Sequence, residues 1–413
     1  MSDAARGPLR RTRADVIGVG AVTAVAALAL GGAWFTAPIR DVEHSPAAEA
    51  QPAVEAPTQV PDTLSPVFEL ADAPVPGHPG PVVADGALIT NDGHTVTART
   101  PDGEEIWSYG RPEELCSLGA AWDDVVVVYR TGVGCGDAVS LDATTGEYDG
   151  TRSAIASESP LAVSSNDRVG VVGADRVELW RSDMVRTVEY GEVEAKQEPD
   201  LQPNEDCTIT SALTRTDALA VTEVCPDDPS VSWLRFQETT PEDARAPEIT
   251  HEQRLADPGA RLVAVGQDGA AVYLPDAENG SARLLSVAGG GSEHGSRAVA
   301  QAPTLTDPPT PFMPATADLP HHMSWFDGQR LYLLTPETLL IDHVFEDAVG
   351  TGVAVADLLL YPTAEGIAVA DGSTGAVQRV IPVDRGEYAG PVFLGLAGDT
   401  IVEKRDDTVT GLR

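Results

Sequence analysis

LCSLGAAWDDVVVVYRTGVGCGDAVSLDATTGEYDG, residues 115–150, holds one complete structural unit. Within it AAW, DVVVVYR, DAVSLD and TGEYDG follow one another, with turn residues between them. Short Val-rich runs bounded by Asp and Gly read as antiparallel strands joined by tight turns. The unit recurs: 160–190 repeats it as LAVSS, DRVGVVG, RVELWR and VRTVEY, and further copies lie at about 81–110, 206–252, 260–300, 320–346 and 351–383. A spacing of roughly 30 to 45 residues, with no sustained helical period from residue 66 onward, matches four-stranded propeller blades. The expected fold is therefore all-β, a β-propeller over 66–413.

The last copy is incomplete. Val392-Phe393-Leu394, 399–404 and 408–412 supply three strands and then the chain stops. Pro66-Val67-Phe68-Glu69-Leu70, ahead of the first copy, is a strand without a unit. Pairing the two ends completes the last blade and closes the ring, which removes open sheet edges. Eight blades follow from that count, and seven if the irregular stretch 285–346 holds less than a full complement.

The third-to-fourth turns are alike. Leu141-Asp142-Ala143-Thr144-Thr145-Gly146-Glu147 matches Ala370-Asp371-Gly372-Ser373-Thr374-Gly375. Asp caps backbone N–H groups at such turns and Gly accepts a positive φ. These residues, with Thr100-Pro101-Asp102-Gly103-Glu104-Glu105-Ile106-Trp107, resemble the Ala-Leu-Asp-x-x-Thr-Gly-x-x-x-Trp repeat of the PQQ-like (quinoprotein-type) β-propeller superfamily. The arrangement with an N-terminal anchor resembles its actinobacterial membrane-anchored members of unknown function. The resemblance implies a fold and is nearly silent on activity. Quinoprotein dehydrogenases of similar repeat have a vicinal Cys pair and a calcium site of Glu, Asn and Asp. This sequence has no adjacent cysteines and no such trio can be placed, so no cofactor is expected.

Residues 16–39 carry no charge, and about 20 apolar residues suffice to cross ~30 Å of hydrocarbon. Trp34 and Phe35 fall near the far end, where aromatic rings favour the interface. Arg6, Arg10, Arg11 and Arg13 precede the run, which places 1–15 in the cytoplasm and the C-terminal domain outside, in a single-pass cell-membrane protein. A cleaved signal peptide is the rival, but its apolar region is usually shorter. Ala48-Glu49-Ala50 lies too far beyond the run to serve as a cleavage site, and no Cys follows for a lipid anchor. Residues 40–65 are rich in Pro, Ala and Glu, have too little apolar surface to fold alone, and read as a stalk reaching up to ~75 Å.

The chain carries a net charge of −37. Five arginines and two acids fall in 1–40, leaving 22 basic and 62 acidic residues beyond, a net of −40. Such a surface repels phosphate backbones, so nucleic acid is excluded as a partner. Lysine occurs only at Lys196 and Lys404, against 25 arginines. High-G+C codon usage and high-salt adaptation both leave that composition.

Four cysteines allow three pairings, and the repeat selects one. Cys116 opens the first strand of its unit and Cys135 lies just past the second; Cys207 and Cys225 hold the same places two units later. Disulfides Cys116–Cys135 and Cys207–Cys225 are expected. A zinc site would prefer tighter Cys spacing.

Chemistry is thin. His321-His322, near Asp318 and Asp327, lacks the spacing of a metal site and reads as a turn. His294, in the run Gly289–His294–Gly295, reads as part of a flexible loop. Pro226-Asp227-Asp228 and Arg405-Asp406-Asp407 lack calcium-loop spacing and read as solvated turns. Trp107, Trp122, Trp180, Trp233 and Trp325 fall in separate units, as inter-blade packing requires. No catalytic, cofactor or metal residue is assigned. The expected function is a non-enzymatic, monomeric scaffold binding a protein or glycan of the cell envelope. The alternative is a propeller enzyme, a quinoprotein or glycan-active, with convergent carboxylates of raised pKa in its mouth. A mouth lined by small apolar residues and blocked by a loop would count against that alternative.

Overall fold

The computed structural model describes residues 12–52, 54–193, 198–275 and 281–413, and divides between Glu43 and His44 into two units. Arg6, Arg10, Arg11 and Lys196 lie outside the described residues.

The first unit is one helix, Arg13–Phe35, with no buried side chain. Its 23 residues span about 34 Å at 1.5 Å each, enough to cross a membrane. Thr12 and Asp15 form a capping box: the Thr12 hydroxyl accepts the Asp15 N–H at 3.2 Å, and the Thr12 N–H donates to the Asp15 carboxylate at 2.8 Å. The helix stops short of the apolar run, which continues to Ile39. Ala37 is extended at φ −68°, ψ 126°, as the residue before a proline tends to be, and a 3-10 turn, Pro38–Asp41, follows instead. Arg40 lies 4.3 Å over the Trp34 ring, a cation–π contact at the helix end.

The second unit is an eight-bladed β-propeller with four strands to each full blade. The blades are 82–110, 115–153, 161–191, 208–255, 261–298, 315–345, 353–382, and 393–412 with Pro66–Ala71. Their inner strands abut in order around an axis, and the inner strand of the eighth, Phe393–Ala397, meets that of the first, Val82–Ala84. Closure follows the expected route. Pro66–Ala71 pairs antiparallel with Thr408–Leu412, Phe68 opposite Gly411 and Leu70 opposite Val409. Ser65 and Arg413 exchange backbone hydrogen bonds of 2.8 and 3.0 Å.

Middle strands are apolar without alternation because each blade is sandwiched between two others. Val125, Val126 and Val127 are all fully buried. Outer strands face solvent, as in Tyr148–Ser153 and Ala376–Pro382.

A repeated joint ties neighbouring blades and explains the turn motif. In Asp142–Gly146, the Asp142 carboxylate accepts the Thr144 and Thr145 N–H groups at 3.0 and 2.8 Å. Gly146 then sits at φ +70°, and a Cβ there would lie 2.6 Å from the Trp107 ring of the preceding blade. The Trp107 indole N–H donates to the carbonyl of Ala143 in the same turn at 2.8 Å. Equivalent turns receive Phe68 at Gly103, His251 at Gly291 and His343 at Gly375. Trp180 and Trp325 are likewise buried, whereas Trp122 occupies a hairpin turn at φ +55°.

Both expected disulfides are present. Cys207 and Cys225 flank a hairpin in which Thr208 faces Val224, and their Cα atoms are 4.1 Å apart. The first bridge is not its equivalent. Cys135 lies within the third strand, Gly134–Asp142, rather than just past the second, and Cys116 sits in a bulge between Leu115 and Ser117. The bulge turns Cys116 so that it reaches across, at a Cα separation of 6.0 Å.

The expected free stalk is the main departure. From His44 on, the chain is held against the propeller. His44 and Ser45 add a fifth strand to the first sheet, and His44 lies edge-on to Tyr109 and Tyr148 while its Nε2 is 2.7 Å from the Gly146 carbonyl. The Ala47 N–H donates to the Thr145 carbonyl at 2.8 Å, and Val54 packs on Gly398. Arg379 donates to the Val60 and Pro61 carbonyls at 3.1 and 2.9 Å, and Val60 and Leu64 pack between the last blades. The segment has no core of its own, but it covers apolar surface that the ring provides.

Candidate functional site

Up-and-down strand order puts first-to-second and third-to-fourth turns on one face of the ring, the turn face. Second-to-third turns and the links between blades lie on the other, the loop face. The strap 44–65 crosses the turn face. Two inter-blade links of the loop face enter the axis instead.

The first is 72–81, with prolines at 74, 76, 79 and 81. Val75-Pro76-Gly77-His78 is a tight turn: the His78 N–H donates to the Val75 carbonyl at 3.0 Å, and Gly77 has φ +81°. Pro then Gly at its centre is the type II signature. The turn crosses the axis, because the Ala162 N–H of the third blade donates to the Pro76 carbonyl at 3.1 Å. The root of the link is clamped. Asp72 accepts the buried Lys404 ammonium at 2.5 Å, the Asn91 N–H at 2.9 Å and the Asn91 amide at 3.0 Å. The second link, 306–314, is also proline-rich, and its Phe312 N–H donates to the Thr210 carbonyl of the fourth blade at 2.8 Å. Met313 then packs against two core clusters.

These links divide the axial space in two, and Gly77, His78, Pro79 and Met313 line both halves. The half toward the turn face, about 400 Å³, is lined by the links and by residues of the second to sixth blades and the eighth. Its walls are small and apolar at Ala120, Ala162, Ala264 and Ala317, with Ser165, Asn166, Asp167 and Thr216 at the turns. Asp318 is taken by Arg215 at 2.6 Å. The half toward the loop face, about 640 Å³, is an aromatic and proline recess of Phe312, Phe326, Tyr388, Phe393, Pro74 and Pro391, with Asp406 at its edge. Burial holds the His78 imidazole between them below its ordinary pKa, and its Nε2 has no partner.

The carboxyls with raised pKa lie elsewhere. Burial pushes Asp124 up to about 6, and raises Glu189 and Glu223. Asp124 starts a strand of the second blade, where its carboxylate accepts the Ser140 hydroxyl at 2.9 Å. Glu189 pairs with Arg176 at 2.9 Å, and Glu223 with Arg235 at 2.5 Å, inside the blades.

The sequence candidates do not converge. His322 Nε2 is 3.0 Å from Asp342, whereas His321 faces Asp357 at 4.0 Å. Asp327 is buried with Arg330 at 2.7 Å. His294 is in an outer strand, Glu293–Ala298, not in a loop; the loop reading fits only the glycines before it. Asp228 binds Arg254 at 2.8 Å, and Asp406 and Asp407 form an exposed turn. Among the described residues, Cys207, Glu223 and Cys225 cluster like metal ligands, but both sulfurs are spent in the disulfide. Sequence reasoning missed the axial links. Their signals were Val-Pro-Gly-His and the isolated Lys404.

No protein-family model matches the chain, and no curated protein does. Solved structures of similar fold include BamB from Moraxella catarrhalis (13% identity, 85% of this chain and 100% of that one, TM-score 0.48). The computationally designed Ika8 protein is similar at 12% identity over 83% of this chain and 98% of its own, TM-score 0.50. A europium-containing methanol dehydrogenase is similar at 12% identity over 82% and 84%, TM-score 0.47. Identities this low add nothing beyond the fold described above.

Proposed function

We propose that this chain is a membrane-held, extracytoplasmic, non-enzymatic binding module of the cell envelope that grips a protein at the loop face. The division of the axis by two bonded links carries this reading. It turns the place where a propeller would house a reaction into a recess walled mainly by rings and prolines. Four features support it. The carboxyls of raised pKa sit away from the axis. Asp318 is neutralised by Arg215. The strap occupies part of the turn face, which leaves the loop face open. Two disulfides with no free cysteine among the described residues suit an oxidising compartment, and the arginines before the helix set the N-terminus inside.

In-cell crosslinking of the anchored chain followed by pulldown tests the proposal. Enrichment of one envelope protein is expected. Titration of the purified chain with pyrroloquinoline quinone, followed by absorbance, tests the competing chemistry. Stoichiometric quinone binding would overturn the non-enzymatic reading.

A further inference from the structure

We infer that the loop-face recess receives an extended, net-positive protein segment, with one apolar side chain in the recess and Lys or Arg residues against Asp406 and Asp407. The inference rests on the binding-module reading above and names the partner's chemistry.

The recess has the volume of a ligand site, and its walls are rings. Phe326 and Phe393 meet edge-to-face at a centroid distance of 6.4 Å, which presents a firm apolar wall. Of its polar side chains, Tyr388 and Lys404 are already engaged, and the buried His78 Nε2 is left without a partner. The Tyr388 hydroxyl donates to the Pro391 carbonyl at 2.7 Å. The Lys404 ammonium is held by Asp72 at 2.5 Å. A sugar, which needs many hydrogen bonds, would find few here, whereas an apolar side chain loses nothing on entry.

The charge at the edge points to a cation. Asp406 lines the recess and Asp407 follows it, both exposed. Burial, then the Asp406 charge, raise the Tyr388 phenol above its ordinary pKa, so this charge is felt inside the recess. The neighbouring bases are committed: Arg405 and Arg385 both bind the buried Glu403, at 2.5 and 2.6 Å. The domain beyond residue 40 adds a net charge of −40, which draws in a basic partner and repels an acidic one. Aromatic and proline walls of this kind accept extended segments, whose ordering cost is small.

The test uses the full chain in a neutral detergent and a fluorescein-labelled peptide, Arg-Pro-Leu-Pro-Arg-Arg, followed by anisotropy at low salt. Versions with Glu for each Arg, and with Gly for Leu, are the comparisons. The Arg peptide should bind at least about tenfold more tightly than either. The double substitution Asp406→Asn/Asp407→Asn should weaken it about three- to tenfold and flatten its salt dependence. Asp167→Asn, in the other half of the axis, should change nothing. Equal binding of the Arg and Glu peptides, or equal losses from Asp167→Asn and from the edge pair, would overturn the inference. Capture of an envelope partner by crosslinking, with no preference for Arg here, would remove this inference and leave the binding module standing.

Discussion

Removing the Trp107 ring by Trp107→Ala should break the joint between the first and second blades. The ring is 1% exposed, and its N–H is bonded to the Ala143 carbonyl. Truncating a buried Trp costs about 3–5 kcal/mol. Unfolding of His44–Arg413 carries about 2.1 cal/mol/K per residue, or about 0.8 kcal/mol/K in all, so ~4 kcal/mol lowers Tm by about 5 °C. Gly146→Ala attacks the same joint from the other side. It forces a side chain onto a left-handed backbone, at about 1–2 kcal/mol, and drives a Cβ against the ring. In the double variant the ring is absent and that clash disappears. The double loss should therefore fall short of the sum of the single losses by about 1–2 kcal/mol. Thermal melts of the purified chain in detergent measure all three. A Tm change below about 1 °C for Trp107→Ala, or strict additivity, would refute the joint.

Cys225→Ser opens the Cys207–Cys225 loop of 18 residues and should cost up to about 3 kcal/mol, read by denaturant midpoint against the oxidised wild type. Lys404→Met leaves the Asp72 carboxylate buried without its cation, at about 3–5 kcal/mol, and should make 72–81 cleavable by added protease before the ring melts. Asp124 has its folded pKa raised to about 6 from 3.8, so the folded state holds the extra proton and stability is lost as pH climbs through that window. Asp124→Asn removes this loss. Its unfolding free energy should match wild type near pH 4 and exceed it above pH 7, by roughly 1–2 kcal/mol after solvent screening. A difference independent of pH would refute the assignment.

The ring was legible because each blade repeats local signals. Val-rich middle strands, an Asp-x-x-x-Gly turn and the stray strand at 66–70 together require closure. The cysteine pairing was legible for the same reason, although the bulge at Cys116, invisible in the spacing, moved Cys135 into a third strand. The helix ends at Phe35, before the apolar run does, because the sequence Ala37-Pro38 disfavours a helical residue ahead of the proline, which hydropathy does not register. Composition misread 44–65, since a segment without its own core still folds when a neighbour supplies the apolar surface. The recess was illegible for a deeper reason. Val-Pro-Gly-His announces a turn, but that it crosses the axis depends on a hydrogen bond to Ala162 in a blade about 85 residues further on. Phe312, Phe326, Tyr388 and Phe393 come together only once the sixth, seventh and eighth blades stand side by side.

The central claim is that the loop-face recess is where this chain meets its partner. A benzophenone amino acid in place of Tyr388, photo-activated in intact cells, tests it directly, with the same group in place of Thr216 on the turn-face half as the control. The account expects a protein crosslink from position 388 and none from 216. Crosslinks from 216 alone, or from neither position while the partner is still recovered with the full chain, would contradict it.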